Sequence, residues 1–216
     1  MSVGTPRWRA LVLGGARSGK SAFAEQLLAD DPEVLYAATA PRYEGDGEWT
    51  ERIARHRERR PATWETAEVG DAPQQLAALL HTPGRTVLVD SLTLWLTAAM
   101  DAVGAWDDDA WNGDGSTGDG SRAEAATGTG LTGTGGRARI ALNRLITELV
   151  DAYTDPARSV VVVSDEVGLG LVPESAGTRR FRDELGRLNQ AFAAASDDVS
   201  LVVAGIPMRL KPGAVQ

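Results

Sequence analysis

The chain has 216 residues, of which 43% are hydrophobic, and it carries a formal net charge of −8 and no cysteine. This length predicts one domain around one core, and the acidity argues against a nucleic acid partner or an anionic membrane surface. The lack of cysteine excludes disulfides and thiolate metal sites. No apolar run is long enough for a signal peptide or a membrane anchor, so we expect a cytoplasmic protein.

A glycine-rich turn lies between the first predicted strand, at residues 11–13, and a predicted helix at residues 22–28. Its sequence GGARSGKS fits the phosphate-binding pattern G-x-x-x-x-G-K-S, which requires this strand-loop-helix setting. Glycines let backbone N–H groups approach phosphates, the lysine reaches the β and γ phosphates, and the hydroxyl can bind Mg²⁺. A tight turn without a ligand is the alternative. The candidate nucleotide-binding residues are Gly14, Gly15, Ala16, Arg17, Ser18, Gly19, Lys20 and Ser21.

Four further apolar runs are predicted to be strands, at residues 33–40, 86–90, 159–166 and 199–206. They are almost uninterrupted and rich in β-branched residues, which is typical of strands buried on both faces of a parallel sheet. Helices are predicted between them, at residues 49–59, 72–80, 92–100, 137–153 and 178–195. The pattern predicts an α/β P-loop NTPase of the RecA-like kind, with a largely parallel central sheet flanked by helices.

The stretch from residue 101 to residue 136 departs from this pattern. It is rich in glycine, threonine and aspartate, and Val103 and Leu131 are its only aliphatic residues larger than alanine. Such a composition buries too little apolar surface to offset the entropy lost on ordering. We therefore predict a flexible surface insertion in a single domain that spans residues 1–216. A docking element around Trp106 and Trp111 is the alternative.

Asp90 ends the predicted strand at residues 86–90, where its carboxylate can bind Mg²⁺ opposite the hydroxyl of Ser21. The sequence DSLTLWL that begins at Asp90 also resembles a helix start, so capping is the alternative role. The chain contains no Asn-Lys-x-Asp element of the kind that reads guanine in regulatory GTPases. An enzyme is therefore favoured over a molecular switch.

The segment ERIARHRERRPATWETAE, at residues 51–68, surrounds His56 with arginines. Guanidinium groups bind phosphates through a planar fork, and nearby positive charge favours a neutral, nucleophilic imidazole. A solvated helix whose arginines pair with its glutamates explains the same spacing, and the spacing alone favours this alternative. His81, the other histidine, lies near a predicted helix end, where capping or simple exposure is expected.

Four motifs together resemble one enzyme family: GGARSGKS, the histidine-arginine segment, VLVDSLTLWL and SDEVGLGLVPESAGTRRFRDELGRLNQ. The chain is similar to the bifunctional adenosylcobinamide kinase and adenosylcobinamide-phosphate guanylyltransferase of cobalamin synthesis, outside residues 101–136. This resemblance implies phosphorylation of the corrinoid substrate with GTP or ATP and Mg²⁺, then transfer of GMP from GTP through a guanylylated His56. It also implies a homo-oligomer of three subunits.

The resemblance further implies which residues act. Lys20 and His56 are the catalytic residues, and Ser21 and Asp90 are the metal ligands. Asp165 and Glu166 lie at the end of a predicted strand, where open parallel sheets bind their ligands, so we expect them to face the phosphates or the corrinoid side chain; loop capping by Asp165 is the alternative. Glu68 is a candidate to read guanine, with an exposed surface glutamate as the alternative. Nucleotide contacts beyond the loop are implied at Ala38, Thr39, Ala40, Arg57, Glu58, Arg59, Arg60, Glu68 and Asp90.

Two other functions fit the motifs without that resemblance. The first is a one-step P-loop kinase in which the arginine-rich segment is only a lid, so that no GMP would attach to the protein. The second is a nucleotide-dependent assembly ATPase of the recombinase type, which would hydrolyse nucleotide without a small-molecule acceptor. The acidity of the chain counts against the second.

Overall fold

The computed structural model describes residues 7–40, 60–113 and 136–211. The strands in these ranges are β1 (Arg9–Gly14), β2 (Val34–Ala38), β3 (Glu65–Glu68), β4 (Thr86–Asp90), β5 (Val160–Asp165), β6 (Asp198–Val203) and β7 (Ile206–Lys211). The helices are α1 (Lys20–Leu27), α2 (Gln74–His81), α3 (Leu92–Val103), α4 (Asp108–Asn112), α5 (Arg137–Thr154) and α6 (Ala176–Ala195).

The strands form one sheet in the order β3-β2-β4-β5-β1-β6-β7, and every neighbouring pair is parallel except β6 with β7. The carboxyl ends of β1 to β6 therefore lie along one edge, which we call the carboxyl edge. One strand, β5, separates β1, which leads into the glycine-rich turn, from β4, which ends at Asp90. The predicted α/β fold, with a largely parallel central sheet flanked by helices, is confirmed.

The core lies on both faces of the sheet. On one face, Val12 and Val161 pack with Ala24 of α1. On the other, Leu11 and Val162 belong to a larger cluster that includes side chains of α2, α3, α5 and α6. Residues 160–163 of β5 are fully buried, and each such valine stabilises the fold by roughly 1.5–3 kcal/mol. The sequence prediction of strands covered on both faces is confirmed.

The sequence prediction missed two strands, β3 and β7. The short strand β3 reads ETAE, and its three glutamate and threonine positions are exposed at the sheet edge, so it carries no apolar run. The predicted last strand was too long, because Ala204 and Gly205 adopt positive φ values of 51° and 81° and turn the chain at that point. The antiparallel strand β7 follows, and Lys211 Nζ donates to the carbonyls that end α6, those of Ala193, Ala194 and Ser196.

The predicted insertion began too early. Residues 101–103 continue α3, and α4 follows after a short turn in which Ala105 is fully buried. Trp106 stacks on Phe181 of α6 with 5.9 Å between ring centroids, and the Arg180 guanidinium lies 4.7 Å from the centre of the Trp111 ring. These two tryptophans thus supply apolar contact surface, although the average composition of the whole segment is polar and rich in glycine. The remainder of the insertion, residues 114–135, lies outside the described residues.

Removing residues 114–135 should leave the fold intact. The backbone N–H of Gly136 donates to the carbonyl of Trp111 at 3.0 Å, so the two described ends already meet. Joining Gly113 to Gly136 shortens a loop, and loop length changes stability by only about 1 kcal/mol or less. Urea unfolding measures this difference. The matched control removes residues 107–133 and with them α4, and we expect it to be clearly less stable; equal stability of the two deletions would contradict the packing of α4.

Candidate functional site

The glycine-rich turn leaves β1 at the carboxyl edge and ends at Lys20, the first residue of α1. A Cβ at Gly14 would meet Ser18 Oγ at 2.4 Å and the carbonyl of Val202 at 2.8 Å, so no side chain fits there. Gly19 has a φ of 94°, a conformation that glycine adopts without strain. The turn between β6 and β7 supports the loop, because Gly205 N–H donates to the carbonyl of Ser18 at 2.8 Å.

Lys20 is nearly buried and lies between the loop and β5. Its Nζ lies 2.6 Å from Asp165 Oδ1 and donates to the carbonyl of Gly15 at 3.3 Å. The backbone of Asp165 is itself fixed from two helices: its N–H donates to Thr93 Oγ1 of α3, and its carbonyl accepts from Asn189 Nδ2 of α6, both at 3.0 Å. Asp165 therefore holds the lysine cation at the carboxyl edge, directly over the glycine-rich turn.

A second group of side chains lies at the ends of β2 and β4. Tyr36 donates its phenolic proton to Asp90 Oδ2 at 3.0 Å, and the Arg60 guanidinium lies 3.6 Å from the centre of the Tyr36 ring. Burial, together with the negative charge of Asp90, raises the pKa of Tyr36 above its ordinary range. Asp90 is half-buried, so its carboxylate is available at the edge where the loop lies.

The Tyr36–Asp90 contact predicts a pH dependence of stability. Above about pH 10, unfolded Tyr36 ionises while folded Tyr36 keeps its proton, so the free energy of unfolding falls by about 1.4 kcal/mol per pH unit. Tyr36→Phe lacks this group, so its deficit relative to wild type should shrink between about pH 9 and about pH 11. Urea unfolding at both pH values measures the deficit. A deficit that stays constant would show that Tyr36 ionises equally in both states.

The other predicted nucleotide contacts near the end of β2 include one buried residue, Thr39, and three residues around it, Ala38, Ala40 and Glu68. Thr39 is fully buried, and its hydroxyl both donates to the carbonyl of Ser91 and accepts from its N–H, each at 2.7 Å. That hydroxyl therefore joins the end of β2 to the start of α3. Ala38 and Ala40 lie beside it, and Glu68 pairs with Ala38 across the neighbouring strand and is exposed. Contacts of these residues with nucleotide stay predictions.

Several predicted site residues lie outside the described residues: His56, Arg57, Glu58 and Arg59, with the predicted helix at residues 49–59. Arg60 is the first described residue after them. Arg60 itself lies on Tyr36, which binds Asp90, near the carboxyl edge.

The family of the chain follows from a comparison with known proteins. Residues 10–210 match the family model described as cobinamide kinase / cobinamide phosphate guanyltransferase. The chain belongs to this family. It is 42% identical to the bifunctional adenosylcobalamin biosynthesis protein CobP of Pseudomonas aeruginosa, over 94% of this chain and 97% of that protein. It is 38% identical to the bifunctional protein CobU of Salmonella typhimurium, over 93% of this chain and 98% of that protein.

A comparison with solved structures adds a distant likeness. An ATPase from the type III secretion system of pathogenic bacteria is 12% identical, with a TM-score of 0.45, over 90% of this chain and 50% of that chain. Within the described ranges, no helix is long and apolar enough to cross a membrane.

In this member of the cobinamide kinase / guanyltransferase family, three contributors to the site are absent from the sequence prediction. Tyr36 lies inside an apolar run, which predicts only a strand. Thr93 and Asn189 lie in predicted helices, and Asn189 is nearly buried, with its amide oxygen accepting from Ser164 Oγ at 2.6 Å. A polar residue at a core position of an amphipathic helix is a signal that could have identified Asn189.

Proposed function

We propose that this chain phosphorylates the hydroxyl of adenosylcobinamide with a nucleoside triphosphate and then transfers GMP from GTP to the new phosphate. The observation that carries the proposal is the family match over residues 10–210, since it spans both the phosphate loop and the histidine-arginine segment. The site geometry supports it, because the Lys20–Asp165 pair and Asp90 lie at the same edge of the sheet, where open parallel sheets bind their ligands.

In the kinase step, the acceptor hydroxyl oxygen forms a bond to the γ-phosphorus while the bond from that phosphorus to the β,γ-bridging oxygen breaks. The chain contributes positioning and charge, which dominate phosphoryl transfer. The N–H groups of the loop and of the start of α1 surround the phosphates, and Lys20 moves its charge from Asp165 toward the phosphate oxygens. Asp165 then faces the acceptor and can receive its proton.

In the guanylyl transfer step, an imidazole nitrogen of His56 attacks the α-phosphorus of GTP and pyrophosphate leaves. The phosphate of the corrinoid then attacks the same phosphorus, the P–N bond breaks, and the histidine is restored. The nucleotide in this step is contacted by the residues that follow His56, which are Arg57, Glu58, Arg59 and Arg60. The position of Arg60 over Tyr36 supports this assignment. Glu68 accepts the two N–H donors on the Watson–Crick edge of guanine, and its exposure at the edge of the sheet leaves it accessible.

We infer that Mg²⁺ accompanies the nucleotide. Among the described residues there is no group of three or more His, Cys, Asp or Glu side chains that could bind a metal alone. The donor set nevertheless fits magnesium, which uses few protein oxygens and takes the rest from phosphates and water. Ser21 supplies a hydroxyl at the start of α1, and Asp90 supplies a half-buried carboxylate at the end of β4. The ion would neutralise charge on the phosphate oxygens.

We also propose a cytoplasmic homo-oligomer, a trimer by the resemblance. The absence of cysteine suits a reducing compartment. Exposed apolar side chains at the sheet edge support self-association; they are Val203, Ile206, Met208 and Leu210. Light scattering on a size-exclusion column measures the subunit number, and a monomer at working concentration would remove this part of the proposal.

The products test the proposed function directly. Purified protein is given adenosylcobinamide, Mg²⁺ and either ATP or GTP, and the corrinoid is analysed by mass spectrometry. We expect one added phosphoryl group first and then, with GTP present, one added GMP. Hydrolysis of nucleotide with the corrinoid unchanged would favour an assembly ATPase, and phosphorylation that never proceeds to GMP transfer would favour the one-step kinase.

A further inference from the structure

The loop between β5 and α6 exposes a short apolar segment, residues 169–172. Leu169, Leu171 and Val172 are exposed to 86%, 96% and 69%. Single exposed apolar residues are ordinary, but three in four consecutive positions beside a nucleotide-binding edge form a surface that excludes water only when a ligand covers it. A nucleotide, which is polar and charged, does not need such a surface.

The backbone of this loop is hydrogen-bonded to the rest of the protein, so the exposure of its apolar side chains does not result from a loop without contacts. Arg182 of α6 donates to the carbonyl of Gly168 at 2.8 Å, and Arg179 donates to the carbonyl of Pro173 at 3.0 Å. The N–H of Gly168 donates to Glu166 Oε1 at 2.9 Å. The backbone on both sides of the apolar segment is therefore bonded to α6, and on one side also to Glu166, while the side chains of the segment are exposed.

An open cavity of about 620 Å³ lies along α6 and reaches Gly168, the residue before the apolar segment. It begins next to the nucleotide site, because its lining includes Leu13, which precedes the phosphate loop, and Glu166, which follows Asp165. Its polar lining groups on α6 are Arg182, Asp183, Arg187, Asn189 and Gln190. This volume is typical of sites for small organic ligands.

Gly186 is the position on α6 from which a large side chain would enter the cavity. It lies in the interior of α6, where glycine lowers helix stability, and it lines the cavity. A Cβ built at Gly186 would meet no atom within 4 Å. Packing therefore does not require glycine at this position, and only a large side chain there would fill the cavity.

We propose that this cavity and the apolar segment 169–172 bind the corrin macrocycle of the acceptor. The macrocycle is a broad ring with methyl groups and amide side chains, so it needs apolar contact together with carboxylate and guanidinium partners for its amides. The loop supplies the apolar contact, and Asp183, Arg187 and Gln190 supply the polar partners. A ligand seated there places its hydroxyl arm past Glu166 toward Asp165 and Lys20. This inference rests on the proposed function.

The test compares two substitutions at one position. Gly186→Phe fills the cavity, and Gly186→Ala is the matched control that keeps it open. Equilibrium dialysis with adenosylcobinamide measures binding without catalysis. We expect Gly186→Phe to weaken corrinoid binding and raise the corrinoid KM at least tenfold, with the nucleotide KM unchanged, and Gly186→Ala to match wild type.

A second pair tests the apolar segment. The double variant Leu169→Asp, Leu171→Asp changes only exposed side chains, so the fold is kept, and we expect the same tenfold loss for the corrinoid alone. Ile140→Asp, at an exposed apolar position of α5, is the control and should be neutral. Covalent attachment of GMP from GTP, which needs no corrinoid, should be unaffected in every variant.

The outcomes separate this inference from the function on which it rests. If wild type turns over adenosylcobinamide while the variants at 169, 171 and 186 bind it as wild type does, the site assignment is overturned and the function stands. If those variants keep corrinoid affinity but lose subunits on light scattering, the surface belongs to a second copy of the chain and the assignment is overturned. If wild type neither binds nor modifies the corrinoid, both fail.

Discussion

Lys20→Ala should lower the kinase kcat by on the order of 10²–10³-fold, the loss expected when one preorganised charge facing the transferring phosphate is removed. The lysine is nearly buried, and its Nζ lies 2.6 Å from Asp165 Oδ1. The substitution leaves this carboxylate without its cation, so we also expect a loss of about 1–3 kcal/mol in unfolding free energy. The protein should remain folded, because Lys20 contributes no apolar surface to the core.

The control for Lys20 is Lys211→Ala, the chain's other lysine. Lys211 binds the carbonyls at the end of α6, far in sequence from the phosphate loop, so its removal should lower stability and leave kcat near that of wild type. Steady-state assays with saturating corrinoid, together with urea unfolding, separate the two effects. A Lys20→Ala enzyme with normal turnover would remove the loop from the mechanism.

His56→Asn should abolish guanylyl transfer, by at least about 10³-fold, because the nucleophile that accepts GMP is lost. Kinase activity should largely survive, since phosphoryl transfer to the corrinoid hydroxyl needs no covalent intermediate. The two activities are measured separately, as corrinoid phosphate formed with ATP and as GMP transferred to preformed corrinoid phosphate from GTP.

His81→Asn is the matched control, because His81 is the only other histidine and lies in the last turn of α2. It should keep both activities. Simultaneous loss of both activities in folded His56→Asn would place His56 in the shared nucleotide site rather than in a separate covalent step. Unchanged guanylyl transfer in that variant would favour the simple kinase with a basic lid.

The phosphate loop could be predicted because its information is local. The spacing of Gly14, Gly19 and Lys20 needs only a strand before it and a helix after it, and both occur where the sequence indicates. The pairing of Lys20 with Asp165 could not be predicted, because it depends on the strand order, which puts β5 beside β1 although the two are distant in sequence. A list of strand-end acids does not specify which one meets the lysine.

The errors have the same origin. The boundary of the insertion was wrong because composition was averaged over the whole stretch, while Trp106 and Trp111 pack individually on α6. The polar strand β3 was missed because its register with β2, and not its own apolar content, holds it in the sheet. Contacts between residues distant in sequence therefore determine the insertion boundary and strand β3, and the local sequence pattern does not contain them.

The most direct test of the central claim, that GMP passes through the protein on its way to the corrinoid, is a two-step mass measurement. Wild-type protein is first exposed to GTP and Mg²⁺, then freed of nucleotide and given adenosylcobinamide phosphate. We predict that the protein gains one GMP through an acid-labile, base-stable bond at His56, and that this GMP then leaves the protein and appears on the corrinoid. A protein that gains no GMP, or that keeps it when the corrinoid phosphate is added, would contradict the account.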